Sequence, residues 1–231
     1  MKTVWLRKEG AEELLLFFNG WGMDYRIAAH LLHESLTKDF SPDFLVCYDY
    51  RTLEPEPSFI KELSRYDSIT LIAWSFGVWV AQHIELPAIE CAIAINGTLH
   101  PVDAERGIPP EVFQATLSTY SAENRDRFNR RMCGSREALA LFSTISPERK
   151  TSDQLEELER LQEYQSIEEY RTGIASWHYN HAIIGGKDLV FPAKQQFAAW
   201  KGIPQTIIAD MSHFPFLHFI NLQEVLACCR K

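Results

Sequence analysis

The sequence predicts an α/β fold: a mostly parallel central sheet flanked by helices, with a helical cap inserted in the second half of the chain. Three observations carry that expectation. Short runs rich in Val, Ile, Leu and Phe recur near residues 3–7, 13–18, 44–48, 69–73, 91–95, 181–185 and 205–209, which is how strands buried on both faces of a parallel sheet read. Helix-like sequence separates most of them. The alternation then stops after Ala94-Ile95-Asn96-Gly97, and from about 98 to 178 the pattern is helical. Pro109-Pro110 precedes one helix, Ser135 is a candidate cap for another, and Ser152 precedes a charged helix from Asp153 to Tyr170. We therefore expect a core of residues 1–97 and 179–231 and a cap of 98–178. The cap would sit above the carboxyl ends of the strands, where open α/β sheets bind their ligands.

The fourth run, Ser68-Ile69-Thr70-Leu71-Ile72-Ala73, leads into Trp74-Ser75-Phe76-Gly77 and then directly into helix-like sequence. A serine on a strand-to-helix turn between small residues is the nucleophile position of α/β-hydrolases, where a strained turn lifts Oγ above the sheet. Here the pattern is A-x-S-x-G, with Ala73 in place of the usual first Gly. An ordinary helix N-cap would explain Ser75 alone, so the remaining elements decide. Leu14-Leu15-Leu16-Phe17-Phe18 ends in Asn19-Gly20-Trp21-Gly22, at the position of the loop that supplies an oxyanion N–H. Ala182-Ile183-Ile184 runs into Gly185-Gly186-Lys187-Asp188 and sets a carboxylate just past a strand end.

Of the eight histidines, His213 follows both that carboxylate and a strand, Thr206-Ile207-Ile208-Ala209, with a helix expected from near Phe216. His218 would fall inside that helix, and His178 and His181 precede Asp188. The order Ser75, Asp188, His213 is the Ser, Asp, His order of α/β-hydrolases. Two other acids compete. Asp49 follows a strand but precedes Ser75, and Asp210 lies three residues before His213, where it would shape the loop.

Composition narrows the class. A chain of 231 residues fits one domain, and no apolar run reaches the roughly 18 to 20 residues that cross a bilayer. Met1-Lys2-Thr3-Val4-Trp5 lacks the long apolar stretch of a signal peptide, so a cytoplasmic protein is expected. Five cysteines without framework spacing, with Cys228 and Cys229 adjacent in the C-terminal helix, point to reduced thiols and not to a metal motif. The net charge of −8 argues against nucleic acid or an anionic membrane as the main partner.

Four segments together carry a family resemblance. Phe18-Asn19-Gly20-Trp21-Gly22-Met23-Asp24, Cys47-Tyr48-Asp49-Tyr50, Ala73-Trp74-Ser75-Phe76-Gly77-Val78-Trp79-Val80-Ala81 and Ser212-His213-Phe214-Pro215-Phe216 resemble the BioG group of pimeloyl-[acyl-carrier protein] methyl ester esterases over nearly the full length. The resemblance implies an α/β-hydrolase that frees the masked carboxylate of a pimeloyl thioester on acyl carrier protein, on the way to biotin. It implies Ser75, Asp188 and His213 as the triad, Trp21 and Phe76 as the oxyanion amides, and no cofactor. Asn19 stands where many other α/β-hydrolases carry His.

Such a substrate asks for a pocket apolar at depth and basic at its mouth. Trp21, Trp74 and Phe76 are candidates to line it, with Phe113, Phe128 and Phe142 from the cap. Arg125, Arg127, Arg130, Arg131 and Arg136 cluster with one acid, Asp126, and positions 127, 130 and 131 share a helix face. They are a solvated face or a docking surface for an acidic carrier protein. Another esterase or thioesterase, or a non-catalytic receptor of the same fold, would satisfy the same motifs.

Overall fold

The computed structural model describes residues 1–167, 170 and 173–228. Its seven strands are β1 (Lys2–Arg7), β2 (Glu13–Phe18), β3 (Asp43–Tyr48), β4 (Ser68–Trp74), β5 (Cys91–Ile95), β6 (His181–Gly185) and β7 (Gln205–Ile208), in the order β1-β3-β2-β4-β5-β6-β7. β1 pairs antiparallel with β3 and every other pairing is parallel. Leu14 to Phe18, Ile69 and Leu71 to Trp74, and Ala92 to Ile95 are all buried, because helices cover both faces of the central strands. The expected strands therefore stand where the apolar runs put them.

The helices are α1 (Arg26–Leu36), α2 (Phe59–Leu63), α3 (Phe76–Ala81), α4 (Pro110–Thr119), α5 (Arg125–Cys133), α6 (Arg136–Thr144), α7 (Thr151–Ser166), α8 (Ala193–Ala199) and α9 (Leu222–Ala227). α4 to α7 are inserted between β5 and β6. Pro110 sits in the first turn of α4, where its missing N–H costs nothing, and the Ser135 hydroxyl caps α6 by accepting from the Ala138 amide at 3.1 Å.

Three boundaries depart from expectation. α7 begins at Thr151 and closes at Ser166, and residues 168 and 169 of its expected end lie outside the described residues. No helix begins at Phe216. Pro215 instead starts a single turn, closed by His218 and Phe219 amides on its carbonyl, so His218 lies in a turn. α9 starts only after Asn221, whose side chain caps the Glu224 amide, and it ends before Cys228; Cys229 lies outside the described residues. Among the described residues no helix is long and apolar enough to cross a membrane.

Close backbone approach fixes where β4 hands over to α3. A Cβ on Gly77 would stand 2.5 Å from the carbonyl oxygens of both Phe18 and Asn19, and one on Gly97 would strike the Ser75 carbonyl. Neither neighbour can yield, since both are backbone at the ends of central strands. Gly77→Ala should accordingly lower unfolding stability by about 1 to 3 kcal/mol, read as a fall in the urea midpoint at constant slope. An unchanged midpoint would show that β2 and α3 are free to separate there.

Candidate active site

β2, β4, β6 and β7 all point their carboxyl ends to one edge of the sheet, and the residues just past those ends converge. Ser75 follows β4 with φ +59° and ψ −128°, in the left-handed half of backbone space that an L-residue enters only when its surroundings hold it there. The Ser75 amide donates to Ile95 O at 2.9 Å and its carbonyl accepts from Val78 N at 3.1 Å, so both sides of the turn are tied.

His213 Nε2 lies 3.0 Å from Ser75 Oγ, and His213 Nδ1 lies 2.9 Å from Asp188 Oδ2. The carboxylate lies at Nδ1, so Nδ1–H donates to it and Nε2 is left as the acceptor for the serine hydroxyl. Asp188 is buried and fully engaged. Its Oδ1 accepts from the Val190 and Phe191 amides at 2.7 and 2.8 Å, and its Oδ2 also accepts from Gln196 Nε2 at 3.1 Å. Four donors around one carboxylate fix its plane.

The competing acids lie elsewhere. Asp49 is buried in an ion cluster with Lys2, Arg51 and Arg149; burial opposes its charge, but these cations bring its carboxyl down to about 2. Asp210 is exposed and pairs with His218 Nε2 at 3.3 Å. Neither has a hydrogen bond to His213.

Two residues that brace the histidine, Asn96 and Phe191, were not singled out from the sequence. Asn96, at φ +46°, donates through Nδ2 to the carbonyls of Ser212 and His213 at 2.8 and 3.1 Å and accepts from Gly185 N at 2.7 Å. One amide side chain thus ties the histidine loop to the end of β6. Phe191 stacks on the imidazole with ring centres 5.8 Å apart, and Trp74 Nε1 donates to His213 O at 2.9 Å. The Asn96-Gly97 pair after β5 was the available signal, because Asn tolerates positive φ and Gly permits close approach.

The chamber over Ser75 is bounded by Gly20, Trp21, Trp74, Phe76, Ile108, Phe113, Thr116, Phe128, Arg131, Val190 and His213. Five of the six expected lining residues are among them. Phe142 is not: it packs edge-on against Phe214 and lines a neighbouring cavity of about 220 Å³ on the far side of α5, with Arg125 and Arg130. The chamber itself holds only about 20 Å³, about one water's worth. A ligand much larger than water can enter only if that lining moves.

The arginines do not form one face. Arg127, Arg130 and Arg136 are exposed and Arg125 is half-buried, but Arg131 turns inward beside buried Met132 and reaches the Ser75 chamber. Its Nη2 donates to Thr116 Oγ1 at 3.1 Å, its guanidinium lies 5.4 Å from the Phe128 ring centre, and its Nε is buried without an acceptor. Burial, with Arg127 adding to it, pushes its pKa below the usual arginine value. Arg127 and Arg131 also line a groove between α4 and α5 that runs to the chamber's edge.

The amides of Trp21 and Phe76, two residues that line the chamber, have no protein acceptor among the described residues. Every other amide from Asn19 to Met23 is engaged. Asn19 braces the loop, its Oδ1 accepting from Gly20 N at 2.9 Å and its Nδ2 donating to Asp24 O at 2.7 Å. Among the described residues no group of three or more His, Cys, Asp or Glu is placed to hold a metal ion.

Comparison with known proteins places this geometry in a family. Residues 1–225 match the model of the BioG family, pimeloyl-ACP methyl esterase. The structure of BioG from Haemophilus influenzae superposes with a TM-score of 0.82 at 30% identity, covering 97% of this chain and 99% of that one. A lipase-esterase related protein from Clostridium acetobutylicum shares the fold, with a TM-score of 0.60 at 13% identity over 99% of this chain and 96% of that one. Over 195 residues, 82% of its length, the chain is 39% identical to a malonyl-[acyl-carrier protein] O-methyltransferase of Bacteroides fragilis (strain 638R), and it spans only 37% of that relative. By fold, by family model and by structural likeness, the chain is an α/β-hydrolase that belongs to the BioG family of pimeloyl-ACP methyl esterases.

Proposed function

We propose that the chain hydrolyses the methyl ester of pimeloyl-[acyl-carrier protein] to the free acid and methanol by a serine acyl-enzyme mechanism. The observation that carries the reading is the unbroken relay Ser75, His213, Asp188, with contacts of 3.0 and 2.9 Å, set beside two unclaimed amides. His213 Nε2 takes the hydroxyl proton as Ser75 Oγ attacks the ester carbonyl. Asp188 holds the working tautomer and stabilises the imidazolium. The amides of Trp21 and Phe76 stabilise the negative charge that develops on the carbonyl oxygen. His213 returns the proton to the methoxide oxygen and methanol leaves. Water, deprotonated by the same nitrogen, then opens the acyl-enzyme, and the proton goes back to Ser75.

The chamber suits a largely apolar acyl chain, with Trp21, Trp74, Phe76, Phe113 and Phe128 as its apolar lining and Arg131 as the basic group at its rim. A substrate on a carrier also fits the Bacteroides relative, whose name puts O-methylation on malonyl-carrier protein and whose chain contains a stretch similar to this one. The exposed Arg127, Arg130 and Arg136, with the half-buried Arg125, offer positive charge to an acidic carrier protein. Residues 98–178 act as the cap domain on a core of 1–97 and 179–231.

Ser75→Ala should lower kcat on a short-chain chromogenic ester by about 10⁶ with folding retained, if the serine behaves as in subtilisin. Activity within tenfold of wild type, in protein free of contaminating esterase, sinks the mechanism. Asp188→Asn should cost on the order of 10⁴ through the wrong tautomer, while Asp49→Asn and Asp210→Asn cost much less. If either of the latter is the more damaging, the acid is misassigned.

The docking surface has its own test. Reversing Arg127 and Arg130 to Glu should lower kcat/KM on the carrier substrate by up to about thirtyfold, since exposed contacts are worth about 1 kcal/mol or less each. Hydrolysis of a small neutral ester should be unchanged, and the carrier reaction should weaken with salt. Arg131→Met should alter turnover of both substrates because Arg131 lines the chamber. Equal loss on both substrates from the double reversal would mean damage to the cap, not lost docking.

A further inference from the structure

The loop that follows β2 is held less by the core than by one inserted helix, α7. Glu157 of α7 is entirely buried. Its Oε2 accepts from Gly22 N at 3.1 Å and from Arg149 Nη1 at 2.5 Å, and its Oε1 accepts from Tyr50 N at 2.9 Å. Tyr50 in turn donates through its hydroxyl to Asn19 O at 2.7 Å. Gln154, one turn earlier on α7, donates through Nε2 to Gly22 O at 2.7 Å. The Gln154 main-chain carbonyl accepts from Trp21 Nε1 at 2.7 Å, and its Oε1 accepts from Tyr120 OH at 2.9 Å. Both polar groups of the Gly22 backbone and the indole of Trp21 are therefore bonded to α7. Gly22 sits at φ +76°, and a Cβ there would approach Gln154 Nε2 to 3.3 Å, so the helix lies directly against the turn.

The consequence concerns the one amide left over. Trp21 N–H shares its rigid peptide plane with the Gly20 carbonyl, which accepts from Met23 N at 3.3 Å, and the planes before and after it are held as well. Asn19 Oδ1 takes the amide before it and Glu157 the amide after it. A buried carboxylate is an expensive choice for this task unless it is well paired, and both oxygens of Glu157 are engaged, Oε1 by one backbone donor and Oε2 by another and by a buried guanidinium.

We propose that Glu157 and Gln154 are positioning residues of the reaction: from the inserted helix α7 they aim the Trp21 amide at the oxyanion, so that the seating of α7 and the completion of the oxyanion hole are one event. The proposal rests on the serine hydrolase reading above. An exact isostere, Glu157→Gln, keeps one acceptor but turns the other oxygen into a donor that faces either Tyr50 N–H or both Gly22 N–H and Arg149. Gln154→Met keeps volume and removes the Gly22 and Tyr120 bonds. Each should leave the chain of Ser75, His213 and Asp188 untouched.

The test measures kcat and KM on p-nitrophenyl butyrate, together with the affinity of an alkyl trifluoromethyl ketone, whose adduct with serine carries an oxyanion, and of the corresponding unreactive alkyl amide. Glu157→Gln should lower kcat by about 10- to 100-fold, less than the loss of a whole oxyanion donor. KM and amide binding should stay within about threefold, and ketone affinity should fall by the same factor as kcat/KM. Gln154→Met should show the same pattern more weakly, by about three- to tenfold, and it decides alone if Glu157→Gln does not fold. Glu159→Gln, an exposed change on the same helix, is the control and should match wild type. Folded variants with kcat within twofold of wild type, or with ketone and amide affinities falling equally, overturn the strap. Labelling by a fluorophosphonate separates the two levels: wild type that is not labelled at Ser75 overturns the hydrolase reading itself, whereas labelled wild type with unaffected variants overturns only the role of α7.

Discussion

Everything at the functional edge depends on the backbone of Ser75. Holding a non-glycine residue at φ +59° costs of the order of 1 to 3 kcal/mol, and here the cost is met by neighbours that leave no alternative. The Ile95 carbonyl takes the Ser75 amide, Gly77 lets α3 lie against the end of β2, and Gly97 lets the turn after β5 pass over the Ser75 carbonyl. A bulkier residue at either glycine would separate the strands that carry the partners. The same close packing brings the loop after β2 beside the nucleophile, since a Cβ on Gly20 would come within 3.3 Å of that of Ser75. The loop after β2 is thus packed against the Ser75 turn on one side and bonded to α7 on the other.

Much of this was legible in the residues. Parallel strands buried on both faces must be continuous apolar runs, so all seven could be located to within a residue or two, and the punctuation after them placed Ser75, Asp188 and His213 at one edge. What was not legible depends on tertiary contact. The sequence predicts a helix from near Phe216, yet Phe216 and Phe219 are buried by a turn, with Phe216 against Trp74 and Phe17. Arg127, Arg130 and Arg131 are neighbours on α5 by spacing, but spacing does not say where the buried side of the helix begins. Here it begins at Arg131, which lies next to Met132. Gln154 and Glu157 look like two more polar positions in a charged helix. Only the fold reveals that they face the oxyanion loop.

The inserted helices therefore do two different things. α4 and α5 supply one wall of the chamber through Phe113, Phe128 and Arg131. α7 is bonded to the loop of Trp21 and Gly22 and belongs, energetically, with the sheet below it.

The central claim concerns the bond that is broken. Mass spectrometry of pimeloyl-[acyl-carrier protein] methyl ester, before and after exposure to the protein, reads it directly. Hydrolysis of the methyl ester leaves the pimeloyl chain on its carrier, lighter by the mass of one CH₂ unit, and Ser75→Ala should leave the substrate unchanged. Appearance of bare carrier protein would instead mean cleavage of the thioester, and an unaltered substrate with active, labelled Ser75 would mean that the chamber serves a different ester.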